Sequence, residues 1–253
     1  MLKDAVPERF IAKSPMAVAV RGALEYALAP ADLDDLFVRT VGDGDDRELL
    51  FATCVDLMAT VVCRVKPSVH AACRAEDHLP VNVTAAYARR ARVPATAGRD
   101  RVRHTAQRLE PVIRAMGGAE PDPRLGYRVK VLDGNHRGKT QRRRKPLRDV
   151  VAGPLPGPAP VVLDPALGLA IDVVPCEDGH AQERSRLGPV LSTVVENDVW
   201  VADRNFCATG FLFGGAGRKG FFVIRRHAAT PSRERESDRA EVGRTGTGTL
   251  SEA

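Results

Sequence analysis

Two segments place an aspartate at the end of an apolar run and follow it at once with polar residues: Leu132-Asp133-Gly134-Asn135-His136 and Ala202-Asp203-Arg204-Asn205-Phe206. Carboxylates at the ends of neighbouring strands can converge on a hard divalent cation, because Mg²⁺ takes oxygen ligands at fixed octahedral angles and strand ends hold them rigidly. Two such ions about 3.5–4 Å apart would activate the attacking oxygen and stabilise the leaving oxygen of a phosphodiester. Aspartate at a strand end is also a common turn former, so each residue alone says little and the pair says more. Directly after the first aspartate come Arg137, Lys139, Arg142, Arg143, Arg144, Lys145 and Arg148, with no acidic residue among them. A basic loop at the mouth of a carboxylate site would hold a phosphate backbone beside the metals; a solvated loop without a ligand is the competing reading. Pro154, Pro156, Gly157, Pro158 and Pro160 then supply an exposed connection. Glu177, Asp178, His180 and Glu183 form a second acidic cluster, read first as helix N-terminal electrostatics and a salt bridge from Glu183 to Arg184 or Arg204. His136 and His180 lack the paired cysteines or HExxH spacing of a zinc site. Asp164 and Asp172 also lie on strands, and Pro165 makes Asp164 a turn residue first.

The elements that must hold these residues follow from hydrophobic spacing. Tyr127–Asp133, Pro160–Asp164, Leu169–Val174, Val199–Asp203 and Phe221–Arg225 read as five strands. Between the third and fourth, Ala181–Val195 carries Leu187, Val190, Leu191, Val194 and Val195, which predicts a helix packed on the sheet. A short helix near Ala208–Gly214 precedes the last strand. The order β-β-β-α-β-α-β is that of an RNase H-like fold rather than a doubly wound nucleotide binder. Gly214, Gly215 and Gly217 precede a strand, whereas a phosphate loop follows one and opens a helix, so these glycines read as a turn.

Ahead of Pro121, Pro123 and Gly126 the period is near 3.6. Asp46 would cap a core helix from Arg47 to about Arg64, with Leu50, Cys54, Leu57, Met58, Val61 and Val62 on its apolar face. Arg101–Met116 places Val102, Ala106, Leu109, Val112, Ile113 and Met116 on one stripe, with Gly117 as its stop. Ser68–Glu76 and Asn82–Arg92 predict two short helices joined by the turn Asp77–Val81, in outline a helix-turn-helix. In that case Thr84, Arg89, Arg90 and Arg92 project toward phosphates or base edges; the alternative is a helical hairpin with solvated arginines. The predicted class is α/β: an RNase H-like mixed sheet over residues 121–227, preceded by an all-α region over 1–120 and followed by a flexible polar tail over 228–253.

Composition sets the bounds. The 253 residues are 43% hydrophobic and 28% charged, enough for one large or two modest domains with buried cores. The longest apolar run, around Leu49–Val65, contains Asp56 and is closed by Arg64 and Lys66, which argues against a spanning helix. Asp4 and Glu8 precede any apolar stretch, so the expectation is a cytoplasmic protein without a secretory signal. Five cysteines without a CxxC pair disfavour a disulfide framework or zinc ribbon and predict buried free thiols. The net charge of +6 favours a polyanionic partner.

The segments Val131–His136, Val162–Pro165, Pro175–Ser185 and Trp200–Cys207 together resemble a bacterial insertion-sequence transposase with a DDE-type catalytic domain, of the insertion-sequence-four type. Glu8-Arg9-Phe10 and Leu49-Leu50-Phe51 are similar to that family too, so the likeness covers residues from about 7 to 227. The resemblance implies DNA transposition: metal-dependent DNA cleavage and strand transfer with Mg²⁺ or Mn²⁺. It implies Asp133 and Asp203 as catalytic metal ligands, and transposon ends and target DNA as partners. DNA contacts would come from Arg137, Lys139, Arg142, Arg143, Arg144, Lys145 and Arg204. A homodimer, no membrane and a nucleoid-associated cytoplasmic location are expected with it. In the family a glutamate in the pattern Tyr-x₂-Arg-x₃-Glu-x₆-Lys is the third ligand. Here no tyrosine follows Tyr127 and no lysine follows Lys219. Glu234, Glu236 and Glu241 sit in a solvated charge run. The chain is therefore expected to be truncated near Val242–Gly248, inside the family's insertion, and inactive. The alternatives are a non-catalytic DNA-binding remnant or inhibitor of an intact transposase, and a metal-dependent nuclease in which Glu183 replaces the third carboxylate, as a helix carboxylate does in RNase H enzymes.

Overall fold

A computed structural model of the chain describes residues 13–42, 50–77, 79–120, 126–135, 159–176, 183–225, 232–234 and 248–250. Asp46, His136, the basic residues from Arg137 to Arg148, Glu177, Asp178, His180, Glu236 and Glu241 lie outside them, as do the side chains of Asn135 and Glu183. Two units meet between Ala119 and Glu120 in the sequence.

In the first unit the described regular elements are helices: α1 (Pro15–Ala27), α2 (Pro30–Val41), α3 (Phe51–Val62), α4 (Val69–Ala75), α5 (Val83–Arg92) and α6 (Ala95–Ala115). Helices α1 and α2, not assigned from the sequence, each begin on a proline, whose fixed φ and missing N–H suit the first helical position. Helix α3 starts at Phe51 rather than Arg47. Asp34 of α2 accepts the Ala52 N–H at 2.9 Å, so a tertiary contact satisfies one of the orphan donors that a local cap would have served. At α4 and α5 the caps are local: Ser68 Oγ accepts from the Ala71 N–H and Asn82 Oδ1 from the Ala85 N–H. Helix α6 begins at Ala95, well before Arg101, and the only residues it buries are Ala97 and Ala106, small enough for neighbouring helices to approach closely. Met116, the end of the expected stripe, is 70% exposed. Gly117 adopts φ +69° and ends the helix as expected.

Leu33, Phe37, Phe51, Ala52, Val55 and Ala97 form one core cluster; Cys54, Leu57, Ala72, Cys73 and Ala86 form another. Arg89 does not project from α5. Its guanidinium lies 4.9 Å from the centroid of Phe37, on the same inward face as Ala86 one helical turn away, and the residue is buried. Burial pushes its pKa down, and the negative face of the ring offsets part of that cost. Thr84, Arg90 and Arg92 are exposed. Of the five free cysteines four are buried, whereas Cys63, just past the end of α3, is exposed. Burial raises the pKa of Cys54, which keeps it a thiol.

His104 of α6 has a buried Nε2 without a hydrogen-bond partner among the described residues. Desolvation lowers its pKa, with Arg108 and Arg39 acting in the same direction and Asp32 against it. The unfolded chain takes up that proton near pH 6.5, so the stability owed to neutral His104 is present above about that pH and is lost as pH falls through the folded pKa. A His104→Leu variant should therefore show a shallower fall in denaturation midpoint below about pH 6.5 than the parent, and superimposable pH profiles would contradict this.

The second unit contains β1 (Arg128–Asn135), β2 (Ala159–Asp164), β3 (Leu169–Val173), α7 (Leu187–Leu191), β4 (Asp198–Ala202), α8 (Thr209–Ala216) and β5 (Phe221–Ile224). One-turn 3₁₀ segments cover Glu183–Arg186 and Arg204–Phe206. The five strands form one mixed sheet in the order β3-β2-β1-β4-β5. The β1/β2 and β2/β3 pairs are antiparallel, and the β1/β4 and β4/β5 pairs are parallel. Leu132, Val162 and Trp200 join Leu187, Val190, Phe211 and Leu212 of α7 and α8 in its core. Trp200 meets Phe211 edge to face at 6.2 Å. On the other side of the sheet Leu163, Phe221 and Val223 are exposed.

The expected helix over Ala181–Val195 is instead a 3₁₀ turn followed by the five-residue α7, carrying Gly188 and Pro189 in its first turn. Chain reversal into β4 stops it: Ser192 caps α7, the Asp198 N–H returns to the Val195 carbonyl, and Val195 is left exposed. Gly214 and Gly215 are not a turn but the last full turn of α8, with Gly217 as its C-cap. A Cβ on Gly214 would lie 2.5 Å from Leu191 Cδ2, so the glycine is what lets α7 and α8 touch. Within the segment read as a flexible polar tail, β6 (Ser232–Glu234) and β7 (Gly248–Leu250) pair antiparallel.

Candidate functional site

Register sets Asp133 and Asp203 side by side. In the parallel β1/β4 pair Leu132 stands opposite Ala202, and the aspartate follows each at once, Asp133 within β1 and Asp203 as the first residue past β4. Leu132, 1% exposed, and Ala202 pack into the core, so strand alternation projects both aspartates from the opposite face, at the carboxyl ends of their strands. Asp133 is exposed, and its Oδ1 accepts from the Gly134 N–H at 2.8 Å. Asp203 stays extended at φ −78° and ψ 176° and caps the 3₁₀ turn that follows: its Oδ1 accepts from the Asn205 N–H at 2.8 Å. One oxygen of each carboxylate is thus steered by its own backbone, and among the described residues no donor engages either Oδ2.

This donor set fits one hard cation. Two carboxylates from adjacent strands supply the oxygen ligands that Mg²⁺ or Mn²⁺ prefers, with water completing the shell. Among the described residues no group of three or more acidic, histidine or cysteine side chains could hold a metal ion. The pair therefore offers part of a coordination sphere.

The other acidic residues divide by location. Asp164 is buried and structural. Its Oδ2 takes Arg128 Nε at 2.8 Å and Arg128 Nη2 at 2.7 Å, and its Oδ1 accepts from the Leu167 N–H at 3.3 Å, which combines the expected turn role with an ion pair. Asp172 is buried too, with Oδ1 on the Val173 N–H. Arg204 is exposed beside Asp203. The Glu183 side chain, and with it the expected salt bridge, lies outside the described residues. Arg184 Nε donates to the Asn205 carbonyl at 2.9 Å, which ties the 3₁₀ turn bearing Glu183 to the turn that follows Asp203.

A charge cluster inside the core escaped the sequence reading. Lys130 Nζ donates to Asp198 Oδ2 at 2.6 Å, with the two side chains 7% and 1% exposed. The ammonium lies 5.1 Å from the centroid of Trp200, and Asp198 Oδ2 also accepts the Val195 N–H at 2.9 Å. Strand parity was the available signal: Lys130 has the parity of Leu132, and Asp198 that of Trp200.

Neither a comparison with protein-family models nor one with curated proteins finds a match for this chain. Among the described residues no helix is long and apolar enough to cross a membrane.

Proposed function

We propose that this chain is a DNA-binding protein of the DDE transposase type, with an RNase H-like second unit, in which Asp133 and Asp203 form a two-carboxylate site for Mg²⁺ or Mn²⁺. The observation that carries this reading is the register of β1 and β4, which puts two aspartates, far apart in sequence, next to each other at the carboxyl ends of parallel strands. Strand order supports it: three antiparallel strands in sequence, then two parallel strands added on the far side of β1, are what an RNase H-like domain requires. A divalent cation held there supplies positive charge beside a phosphodiester oxygen. The protein's share is to fix the two carboxylates through the Gly134 and Asn205 N–H groups and to bring DNA to them with the basic run after Asp133. DNA transposition is the reaction class of this architecture, with transposon ends and target DNA as its partners. With two carboxylates rather than three, this chain by itself acts as a DNA-binding protein, and an intact transposase sharing its DNA is what it would inhibit.

The test is Mn²⁺ binding followed by calorimetry. Affinity rises with the number and charge of the ligands, so the parent should bind weakly, on the order of 10⁻⁴–10⁻³ M, and Asp133→Ala and Asp203→Ala should each abolish the signal. Binding that survives both substitutions would place the metal elsewhere and remove the site.

A second reading, a metal-dependent nuclease completed by Glu183, is favoured by one observation: the Arg184 bond to the Asn205 carbonyl holds the backbone turn of Glu183 against the turn after Asp203. Under that reading Mn²⁺-dependent nicking of a supercoiled plasmid is lost in Asp203→Ala and in Glu183→Ala but persists in Glu234→Ala and Glu236→Ala. Absence of nicking by the parent rejects it.

A further inference from the structure

The peptide of Asn205 is held from both sides. Its N–H goes to Asp203 Oδ1 at 2.8 Å and its carbonyl receives Arg184 Nε at 2.9 Å. Arg184 is exposed, and among the described residues no acid pairs with its guanidinium. An arginine that spends Nε on a neutral carbonyl keeps both Nη groups, and those present the planar fork that binds a phosphate. The turn fixes where that fork sits, one peptide away from a carboxylate of the candidate cation site. Charge argues in the same direction. A phosphodiester approaching Asp133 and Asp203 meets two negative charges, which one divalent cation only cancels; attraction requires further positive charge fixed nearby, and Arg204 and Arg184 border the same turn.

We infer that Arg184 is a phosphate-positioning residue. Its Nε sets the Asn205 peptide and through it Asp203, while its Nη groups hold a non-bridging oxygen of the DNA phosphodiester next to the two aspartates. This rests on the DNA-binding reading above and adds to it a specific contact outside the basic run. The role differs from that of the lysines and arginines after Asp133. Those residues lie outside the described residues, whereas Arg184 is held by a hydrogen bond between residues 21 apart in the sequence.

The experiment measures duplex DNA binding by fluorescence anisotropy as a function of salt, with a short duplex of arbitrary sequence, for the parent, Arg184→Gln and Arg184→Lys. One phosphate contact contributes about 0.9 to the slope of log K against log[salt], so Arg184→Gln should flatten the parent slope by about 1 and weaken binding roughly tenfold near 0.1 M salt. Arg184→Lys keeps the charge but not the fork: the parent slope should return while affinity remains several-fold below that of the parent. A strut with no DNA contact would shift the unfolding midpoint and leave the slope alone, so an unchanged slope in Arg184→Gln overturns the inference. Should Arg184→Gln fail to fold, parent-like affinity in Arg184→Lys overturns it as well. A parent protein without salt-dependent binding defeats the DNA-binding reading and this inference together. A salt-dependent parent with an indifferent Arg184 defeats the inference alone.

Discussion

Asp198→Ala should cost the second unit about 3–5 kcal/mol, a large part of the 5–15 kcal/mol that holds a typical domain folded. The substitution leaves the Lys130 ammonium inside the core with only the Thr193 carbonyl, 3.4 Å away, and the face of Trp200 to replace its counter-ion. It also takes away the acceptor of the Val195 N–H, and with it a tie that closes the turn into β4. Two costs thus fall on one substitution. The pair itself is not a net source of stability, because both ions are stripped of water and Asp198 Oδ1 has no hydrogen-bond partner among the described residues. The double substitution Lys130→Met with Asp198→Asn should therefore recover most of the loss: methionine fills the volume of the lysine stem, and the asparagine carbonyl oxygen still accepts from Val195. Denaturant unfolding of the parent and the two variants checks this, and a single Asp198→Ala variant within about 1 kcal/mol of the parent would show the charge to be solvated after all.

Affinity for duplex DNA should fall several hundredfold between about 50 and 200 mM salt. Five phosphate contacts give a slope of log K against log[salt] near −4.5, and a fourfold rise in salt then costs between two and three powers of ten. Arg137, Lys139, Arg142, Arg143, Arg144, Lys145 and Arg148 supply more than enough charge for five contacts. Neutralising Arg142, Arg143 and Arg144 together should reduce the slope by about 2–3 and should do so alike for unrelated duplex sequences, because phosphate contacts carry no sequence information. A parent slope near zero would mean that the basic run does not meet a nucleic acid.

Much of the second unit was readable because a half-buried strand writes its register into alternation. The five strand segments fall within a residue or two of their predicted ends, and the adjacency of Asp133 and Asp203 needed only the parallel pairing of their strands. What alternation could not convey is chemistry that depends on distant partners. Lys130 and Asp198 each look like surface residues until the strands pair and supply the counter-ion. Arg89 reads as a solvated arginine on a basic helix, yet Phe37, about fifty residues earlier, gives it an aromatic face to lie on. Asp34 displaced the local cap of α3 for the same reason. Gly214 was misjudged because its value lies in what Leu191 needs, and no local pattern records that. Arg184 was visible only as a charge next to Glu183, and its bond to the Asn205 carbonyl follows from two turns meeting in space.

Trp200 is the only tryptophan in the chain, and it sits 2% exposed in the core of the second unit, beside Phe211 and beneath the Lys130 ammonium. The molecule therefore carries its own optical label for one half of itself. Indole emission will report the unfolding of the sheet unit without a contribution from tryptophan in the helical unit, whose tyrosines Tyr26 and Tyr87 leave it to circular dichroism. A loss of helical ellipticity that runs ahead of the tryptophan red shift would resolve two melting events in a single sample, with no need to divide the chain.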